Sequence, residues 1–427
     1  MSRENEQTLK VYDKYGLDYI KSTLIHNEKD PEKAVKKCAE TEAFLKKGFS
    51  SLAPRDKILE IGSGGGENAE YLTSLNYRVV ASDVSEQFRE VISKKNLKCR
   101  KLNILTDEID SLFDGVLAWR VLVHFTPEDL EVAAKKIFGA LRLGGRFVCN
   151  IINKEAHEVD SEWQDFNNEY HLGAERFFQY YSKEQAEKIF TDAGFEIVEF
   201  SYAGEDNKWM LFVLERPTGV RKEVIEYAET EILPKYEKML GHTAGHIAQV
   251  ISRSFTILTN LKEKVDVSMV YMTAAYHDLG RLVDDDTHHI ESAKMMRADE
   301  GLKKLFSDEQ IEIMAEAVED HRASSKGDPR NIYGKIVSSA DRDVDVDEML
   351  RRAYDYTKKL NPDFDDDAVI EEARVHLREK YTPDGYGARK VYYPTEDTIE
   401  CFKTIEKLTC DPLSYRKLIK EMNKKRG

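Results

Sequence analysis

No stretch of this 427-residue chain approaches the roughly 18 to 20 continuous apolar residues of a membrane span, so a helical membrane protein is not expected. Cysteine is scarce. Cys38, Cys99, Cys149, Cys401 and Cys410 are odd in number, scattered and without a CxxC pair. That excludes a disulfide framework and points to reduced thiols in the cytoplasm. The opening MSRENEQTLKVYDKYG is polar, without the charged-then-apolar order of a secretory signal. Positive charge is in deficit: 64 Lys and Arg against 79 Asp and Glu give a net charge of −15. Such a field repels phosphate backbones at long range and argues against a general nucleic-acid binder. Neither an internal repeat of solenoid period nor a low-complexity tract is found. The runs Asp284-Asp285-Asp286 and Asp365-Asp366-Asp367 read as solvated loops.

What is present is a globular composition, 41% hydrophobic with 10% aromatic residues, in a chain too long for one ordinary core. Two or three domains are expected. Residues 1–49 place Tyr12, Tyr15, Tyr19, Ala34, Cys38 and Leu45 at helical spacing and read as a helical cap. Over 50–217 the β-branched runs KILEIG, YRVVASD, FDGVLAWRVL and GRFVCNII alternate with helices such as EVAAKKIFGALRLGG. This is the pattern of an α/β, Rossmann-like parallel sheet covered by helices. FEIVEFSYAG and KWMLFVLERP read as a closing hairpin, and Pro217 and Gly219 then break the pattern. From 221 onward the period is helical: about 221–240, 242–260, 266–279, 288–305, 308–322, 331–357, 367–380 and 396–424. An all-α domain over 221–350 and a helical extension over 351–427 are predicted, with TPDGYGARKVYYPTEDT as a loop.

The run from Lys57 to Gly66, KILEIGSGGG, is a strand entering a glycine-rich turn, with a helix from near Glu67. Glycine is needed where backbone approaches a ligand closely or takes positive φ. A second strand ends on Asp83, placed to accept hydrogen bonds from a ribose diol. Glu60-x-Gly62-x-Gly64-x-Gly66 resembles motif I of the class I S-adenosylmethionine-dependent methyltransferases, and Asp83 matches their ribose-binding acid. The resemblance covers roughly residues 50–215. It implies S-adenosyl-L-methionine held by Glu60, Gly62, Gly64, Gly66, Asp83 and Asn103. Asn103 stands where that family often has an Asp on the adenine amine. The segments 113–125 and 141–147 look like the family's fourth strand with its loop and the entry to its fifth. An NAD fingerprint wants a third glycine three residues after the second, and the alternate glycines behind Glu60 favour the methyltransferase. His124 is a candidate general base, with an architectural role as the alternative. Trp119 and Arg120 lie at the strand-four end, where cofactor and acceptor should meet. Tyr12, Tyr15 and Tyr19 form a lid or pack as an ordinary helix, and the aromatic segment 154–181 is the candidate for acceptor recognition.

Six of the eleven histidines, His242, His246, His277, His288, His289 and His321, gather in the back half beside Asp278 and Asp341. An adjacent His-Asp pair supplies one nitrogen and one oxygen ligand from a single helix turn. His321 continues the stripe Ile311, Met314 and Val318, while Asp341 continues Val337, so both face inward. An inward carboxylate is costly unless it is paired or metal-bound. His246 begins the face carrying Val250, and His289 leads to Ala293 and Met296. The arrangement His246, His277-Asp278, Asp341 resembles the HD-domain metal-dependent phosphohydrolases over about 240–350. His-Asp-Leu-Gly-Arg at 277–281 is similar to their core motif, with Arg281 where a Lys is frequent. The resemblance implies that these four ligands bind a first divalent metal (Mn, Fe, Ni, Co, Zn or Mg). His289 and His321 match positions that hold a second ion or substrate phosphate. Arg322 replaces a frequent second His and offers a phosphate clamp. His242 and His288 read as outer or surface residues.

The implied enzyme is bifunctional and cytoplasmic. It transfers methyl from S-adenosylmethionine to a small-molecule acceptor and hydrolyses a phosphoester of a small metabolite or nucleotide. In the second reaction Asp278 orients or deprotonates water, while Arg281, Arg322 or Lys326 offsets charge. The helices after 348 act as a cap, with Arg389 and Lys390 of the 381–394 loop near the pocket mouth. The HD half has two alternatives, a dinuclear-iron oxygenase and a non-catalytic nucleotide sensor. No membrane partner is expected, and a homo-oligomer is compatible with the sequence.

Overall fold

The computed structural model describes residues 1–165, 174–239, 244–323, 327–342, 344–382 and 385–424. The chain divides into Met1–Thr218 and Gly219–Gly427.

The first unit opens with α1 (Arg3–Lys29), bent at Tyr15, and α2 (Pro31–Gly48). Asp30 caps α2 by accepting from the Lys33 N–H, and Pro31 pre-sets its first turn. Strands and helices then alternate through β1 (Lys57–Ile61), α3 (Glu67–Ser74), β2 (Arg78–Ser82), α4 (Glu86–Lys94), β3 (Lys98–Arg100) and β4 (Phe113–Ala118). After α5 (Pro127–Ala140) and β5 (Leu141–Asn153) comes an antiparallel hairpin of β6 (Ser161–Asp165) and β7 (Glu175–Tyr181). The unit closes with α6 (Lys183–Asp192), β8 (Glu196–Ala203) and β9 (Trp209–Glu215).

β3, β2, β1, β4 and β5 run parallel in that order, and β9 lies antiparallel between β5 and β8. The two-residue period of the strands feeds two separate cores, as both faces of such a sheet must be covered. Leu59, Val116, Phe147 and Phe212 pack on one face, whereas their neighbours Ile58, Leu117, Val148 and Val213 pack with Leu45 and Phe49 on the other. The helix expected through EVAAKKIFGALRLGG stops at Ala140. Leu141 already pairs with Phe113, and the buried Arg142 reaches Asp114 at 2.5 Å and Asp56 at 3.2 Å. Strands β3, β6 and β7 were not among the runs expected from the sequence. β3 and β6 are short and largely polar, whereas β7 carries Phe177, Phe178, Tyr180 and Tyr181 and was read only as part of the aromatic 154–181 segment.

In the second unit α7 (Lys222–Tyr227) continues through tighter and looser turns to Lys238. It is followed by α8 (Ala244–Asn260), α9 (Val267–Tyr276), α10 (His288–Ala298), α11 (Asp308–Asp320) and α12 (Ile332–Ala340). α9 is buried from Ser268 to Tyr276, as a helix apolar on all sides must be. The remaining helices are α13 (Val346–Leu360), α14 (Asp366–Tyr381), α15 (Glu396–Cys410) and α16 (Pro412–Lys424). They share their own core around Leu350, Tyr354, Ile370, Leu377, Ile405 and Tyr415.

Two helices expected to be continuous are broken. The 331–357 stretch ends at Asp341, and α13 restarts with Asp345 as its N-cap, accepting from the Glu348 N–H. The 396–424 stretch breaks at Asp411, before Pro412, which has no N–H to give. The helix expected over 288–305 stops at Ala298 because Asp299 turns inward to the hydroxyls of Tyr227 and Tyr276. All five cysteines are free thiols, and among the described residues no helix is long and apolar enough to cross a membrane.

Candidate active sites

A cavity of about 830 Å³ opens in the first unit between the glycine turn, α1, α2 and the end of β4. Gly62 has φ +65°, and a Cβ there would lie 2.2 Å from Val121, so only glycine lets β1 turn beneath the loop after β4. The Gly64 N–H donates to Oδ2 of Asp83 at 3.1 Å, and the Ser85 N–H to Oδ1 at 2.9 Å. The acid therefore fixes the turn while facing the cavity. Burial pushes Asp83 up to about 6 and Glu60 up to about 7. Glu60 accepts from Asn68 Nδ2 at 3.2 Å. Asn103 lines the cavity but commits its side-chain oxygen to the Leu105 N–H at 3.0 Å.

Helix α1 is stitched over this cavity. Nδ1 of His124 lies 2.6 Å from the Phe177 carbonyl and must donate to it, which leaves Nε2 to accept from the Tyr12 hydroxyl at 3.0 Å. Arg176 donates to that hydroxyl at 2.8 Å, and the Phe177 N–H donates to Thr8 at 3.0 Å. Burial pushes His124 down to about 3 and Tyr12 up to about 12, so both stay neutral. With both nitrogens occupied, His124 is not poised as a base. This geometry accords with the architectural alternative for His124, with its ring held between Tyr12 and the Phe177 carbonyl.

In the second unit five side chains converge. Nε2 of His246 lies 3.2 Å from Asp341 Oδ1 and 3.8 Å from Asp278 Oδ2, and Nε2 of His277 lies 3.7 Å from each of the same oxygens. His321 directs Nε2 toward Asp278 Oδ1 at 3.7 Å. Two triads, His246-His277-Asp341 and His277-Asp278-His321, have ligand atoms spaced to share an ion. Backbone carbonyls set the tautomers: Nδ1 of His277 lies 2.7 Å from Ala274 O, Nδ1 of His288 2.7 Å from Asp285 O, and Nδ1 of His321 2.6 Å from Val318 O. Each Nδ1 carries a proton, so Nε2 is the atom each ring turns inward. Although burial opposes its charge, Asp278 and Asp341 raise the His277 ring to about 9, and a metal would displace its Nε2 proton. Nε2 of His277 is buried and accepts no hydrogen bond among the described residues. A divalent cation fits that donor set.

Local sequence explains the convergence. α9 ends with His277 in its C-cap, and Gly280 lets α10 come close: a Cβ there would lie 2.1 Å from the His288 carbonyl oxygen. Ser292 locks the contact, accepting from the Gly280 N–H at 2.7 Å and donating to the His277 carbonyl at 3.0 Å. Although burial opposes the charged forms, His277 and His321 hold the Asp278 carboxyl well below the usual range. Burial likewise opposes charge at Asp341, yet His246 and His277 hold its carboxyl far below that range.

A family model described as a methyltransferase domain matches residues 28–200, and one described as an HD domain matches 243–344. The chain joins a methyltransferase domain to an HD domain. No curated protein matches it. Similar solved structures include an S-adenosylmethionine-dependent methyltransferase from Clostridium acetobutylicum, 15% identical over 47% of this chain and 99% of that one, with a TM-score of 0.37. Another, from Methanosarcina mazei, is 17% identical over 39% and 95%, with a TM-score of 0.36. The magnesium protoporphyrin IX methyltransferase of Synechocystis is 14% identical over 51% and 98%, with a TM-score of 0.39.

Within the HD domain two neighbouring histidines differ in placement. His288, expected at the periphery, is buried with Nε2 3.1 Å from Asp278 Oδ1. His289, expected at a second ion or at substrate phosphate, is half-buried with Nδ1 3.5 Å from Arg322. The reason is helical: as the first residue of α10, His288 faces α9 across Gly280, and the next position turns about 100° away. Arg281 forms an inward ion pair, its Nε 2.9 Å from Asp278, and Arg322 donates to the Asp286 carbonyl. Lys390 is tied to Gly327 and Asp328. Sequence reasoning missed the buried Arg342, which donates to Ser338 at 2.8 Å and to the His321 carbonyl at 3.3 Å. Its signal was available, since an arginine beside the inward Asp341 on an apolar helix needs buried partners. His242, Lys326 and part of the 154–181 segment lie outside the described residues.

Proposed function

We propose that the chain carries two active sites, one transferring methyl from S-adenosylmethionine to a small-molecule acceptor and one hydrolysing a phosphoester of a small metabolite or nucleotide. The observation that carries the hydrolase reading is the set of imidazoles with Nδ1 locked on carbonyls and Nε2 turned toward Asp278 and Asp341. A bound divalent ion supplies a Lewis acid for the phosphoryl oxygen and acidifies water. His246, His277, Asp278 and Asp341 would hold it. Asp278, its carboxyl held far below the usual range, is a weak base and orients the attacking water by accepting its hydrogen bond. Arg281 restrains that carboxylate, while Arg322 stands at the rim to meet anionic oxygens.

For methyl transfer, Asp83 would accept the ribose hydroxyls and the glycine turn would hold the cofactor, while α1, held by the Tyr12–His124–Arg176 chain, excludes water. Catalysis there is positioning for an in-line displacement.

One observation favours a second ion. The two oxygens of Asp278 face different imidazoles, Oδ2 toward His246 and His277 and Oδ1 toward His288 and His321. A dinuclear-iron oxygenase is the corresponding second reading. A screen of phosphorylated metabolites and nucleotides, supplemented with Mn, Ni, Co or Fe, tests both. Phosphate release that vanishes in His277→Ala supports hydrolysis. Two irons per chain with oxygen consumption supports the second reading, and nucleotide binding without turnover leaves a sensor.

A further inference from the structure

Two cations without an ion-pair partner among the described residues, Lys37 and Arg120, line the cavity of the methyltransferase domain. Lys37 on α2 and Arg120 after β4 line it directly, and the charges of Arg120, Lys33 and Lys208 all act on Lys37. Lys33 is neutralised by Glu205 at 3.2 Å, whereas Lys37, Arg120 and Lys208 have no ion-pair partner among the described residues. In a chain of net charge −15, positive groups left to repel one another at a cavity mouth are conspicuous. Partial burial and that repulsion lower the Lys37 ammonium below its ordinary value.

Arg120 is held in a conformation that an arginine does not choose. Its φ is +61°, and its backbone N–H donates at 2.6 Å to the buried Asn150 Oδ1. Its guanidinium carbon lies 5.8 Å from the Trp209 ring. Left-handed non-glycine residues persist where surrounding structure imposes them, and they cluster at ligand sites. Trp119, 5.9 Å from Phe44, gives the same wall an apolar face. The acids of the cavity have other placements: Asp83 and Glu67 flank the glycine turn, Glu42 accepts from Cys38 at 3.4 Å, and Asp165 stands on β6.

We propose that Lys37 and Arg120 form an anion-recognition subsite, so that the methyl acceptor is a small molecule bearing a phosphate or a carboxylate. The proposal rests on the methyltransferase reading and names its substrate class. An anion anchored away from the reacting atom orients the acceptor for in-line displacement at little cost to the transition state.

The chain's three tryptophans, Trp119, Trp163 and Trp209, all lie in Met1–Thr218, so their fluorescence reports this unit and not the HD domain. The full chain, saturated with S-adenosylhomocysteine, is titrated with inorganic phosphate and separately with succinate at constant ionic strength. A saturable response to either anion is expected, and which anion saturates at lower concentration distinguishes phosphate from carboxylate. Lys37→Gln and Arg120→Asn, the latter tolerating the left-handed backbone, are expected to raise half-saturation at least about tenfold while S-adenosylmethionine affinity holds within about threefold. A wild type that responds to neither anion, or variants that saturate like wild type, overturns the subsite. Variants that lose cofactor affinity with unchanged anion binding also overturn it, because the cations then serve the cofactor carboxylate. Failure of the wild type to bind S-adenosylmethionine sinks the methyltransferase reading instead, and it is read before any anion is added.

Discussion

His288 directs Nε2 at Oδ1 of Asp278 across 3.1 Å, whereas the adjacent His289 turns away toward Arg322. The pair can therefore be separated by substitution. His288→Ala is expected to weaken Mn binding to the metal-stripped chain by about tenfold to a hundredfold, whether it ligates directly or orients Asp278. His289→Ala is expected to leave that affinity within about threefold. Isothermal titration of both variants checks the order, and a larger loss from His289→Ala contradicts the geometry.

The Tyr12 hydroxyl joins His124 to Arg176, and removing it strands two polar groups under α1. Tyr12→Phe is expected to destabilise the first unit by about 1 to 2 kcal/mol. It should weaken S-adenosylmethionine binding without abolishing methyl transfer. Complete loss of turnover at unchanged cofactor affinity restores a proton-transfer role to His124.

Cofactor affinity should depend on pH through Asp83. Burial raises its folded pKa from the ordinary 3.8 to about 6. The folded chain thus holds this proton more tightly than the unfolded chain, and the buried acid weakens the cofactor-free fold as pH rises from about 4 to about 6. Ribose hydroxyls donate to the ionised acid and act in the opposite direction. Affinity is expected to be full above about pH 7 and to fall as pH drops through about 6. Asp83→Asn should bind more weakly at neutral pH and lose that dependence, as equilibrium titration across pH 5 to about 8 measures.

Arg142 is buried between Asp56 and Asp114. Arg142→Met leaves two carboxylates uncompensated and is expected to cost about 3 to 5 kcal/mol in denaturant unfolding of the first unit. A loss below about 1 kcal/mol argues that the acids find water.

The alternation of apolar strands and amphipathic helices made the sheet legible, because β1, β2, β4 and β5 bury nearly every position. The two-residue period cannot reveal β3 or β6, whose residues are polar or partly exposed, and in β7 the adjacent aromatic pairs Phe177-Phe178 and Tyr180-Tyr181 break the alternation. The adjacent His277-Asp278 pair marked Asp278, and an inward carboxylate on an apolar helix marked Asp341, since burial demands a partner. The choice between His288 and His289 was not legible, because it depends on where α10 begins after a polar loop and on Gly280 admitting that helix. The occupied ring of His124 was equally hidden: its partners Tyr12 and Phe177 lie 112 and 53 residues away.

Equilibrium titration of the metal-stripped full chain with Mn or Co, beside His277→Ala and Asp341→Ala, is the most direct measurement. Saturable uptake of one or two ions in the wild type, with loss of at least one in each variant and S-adenosylmethionine binding intact, is the expected result. Uptake that is absent in the wild type, or unchanged in both variants, contradicts a shared cation between these helices.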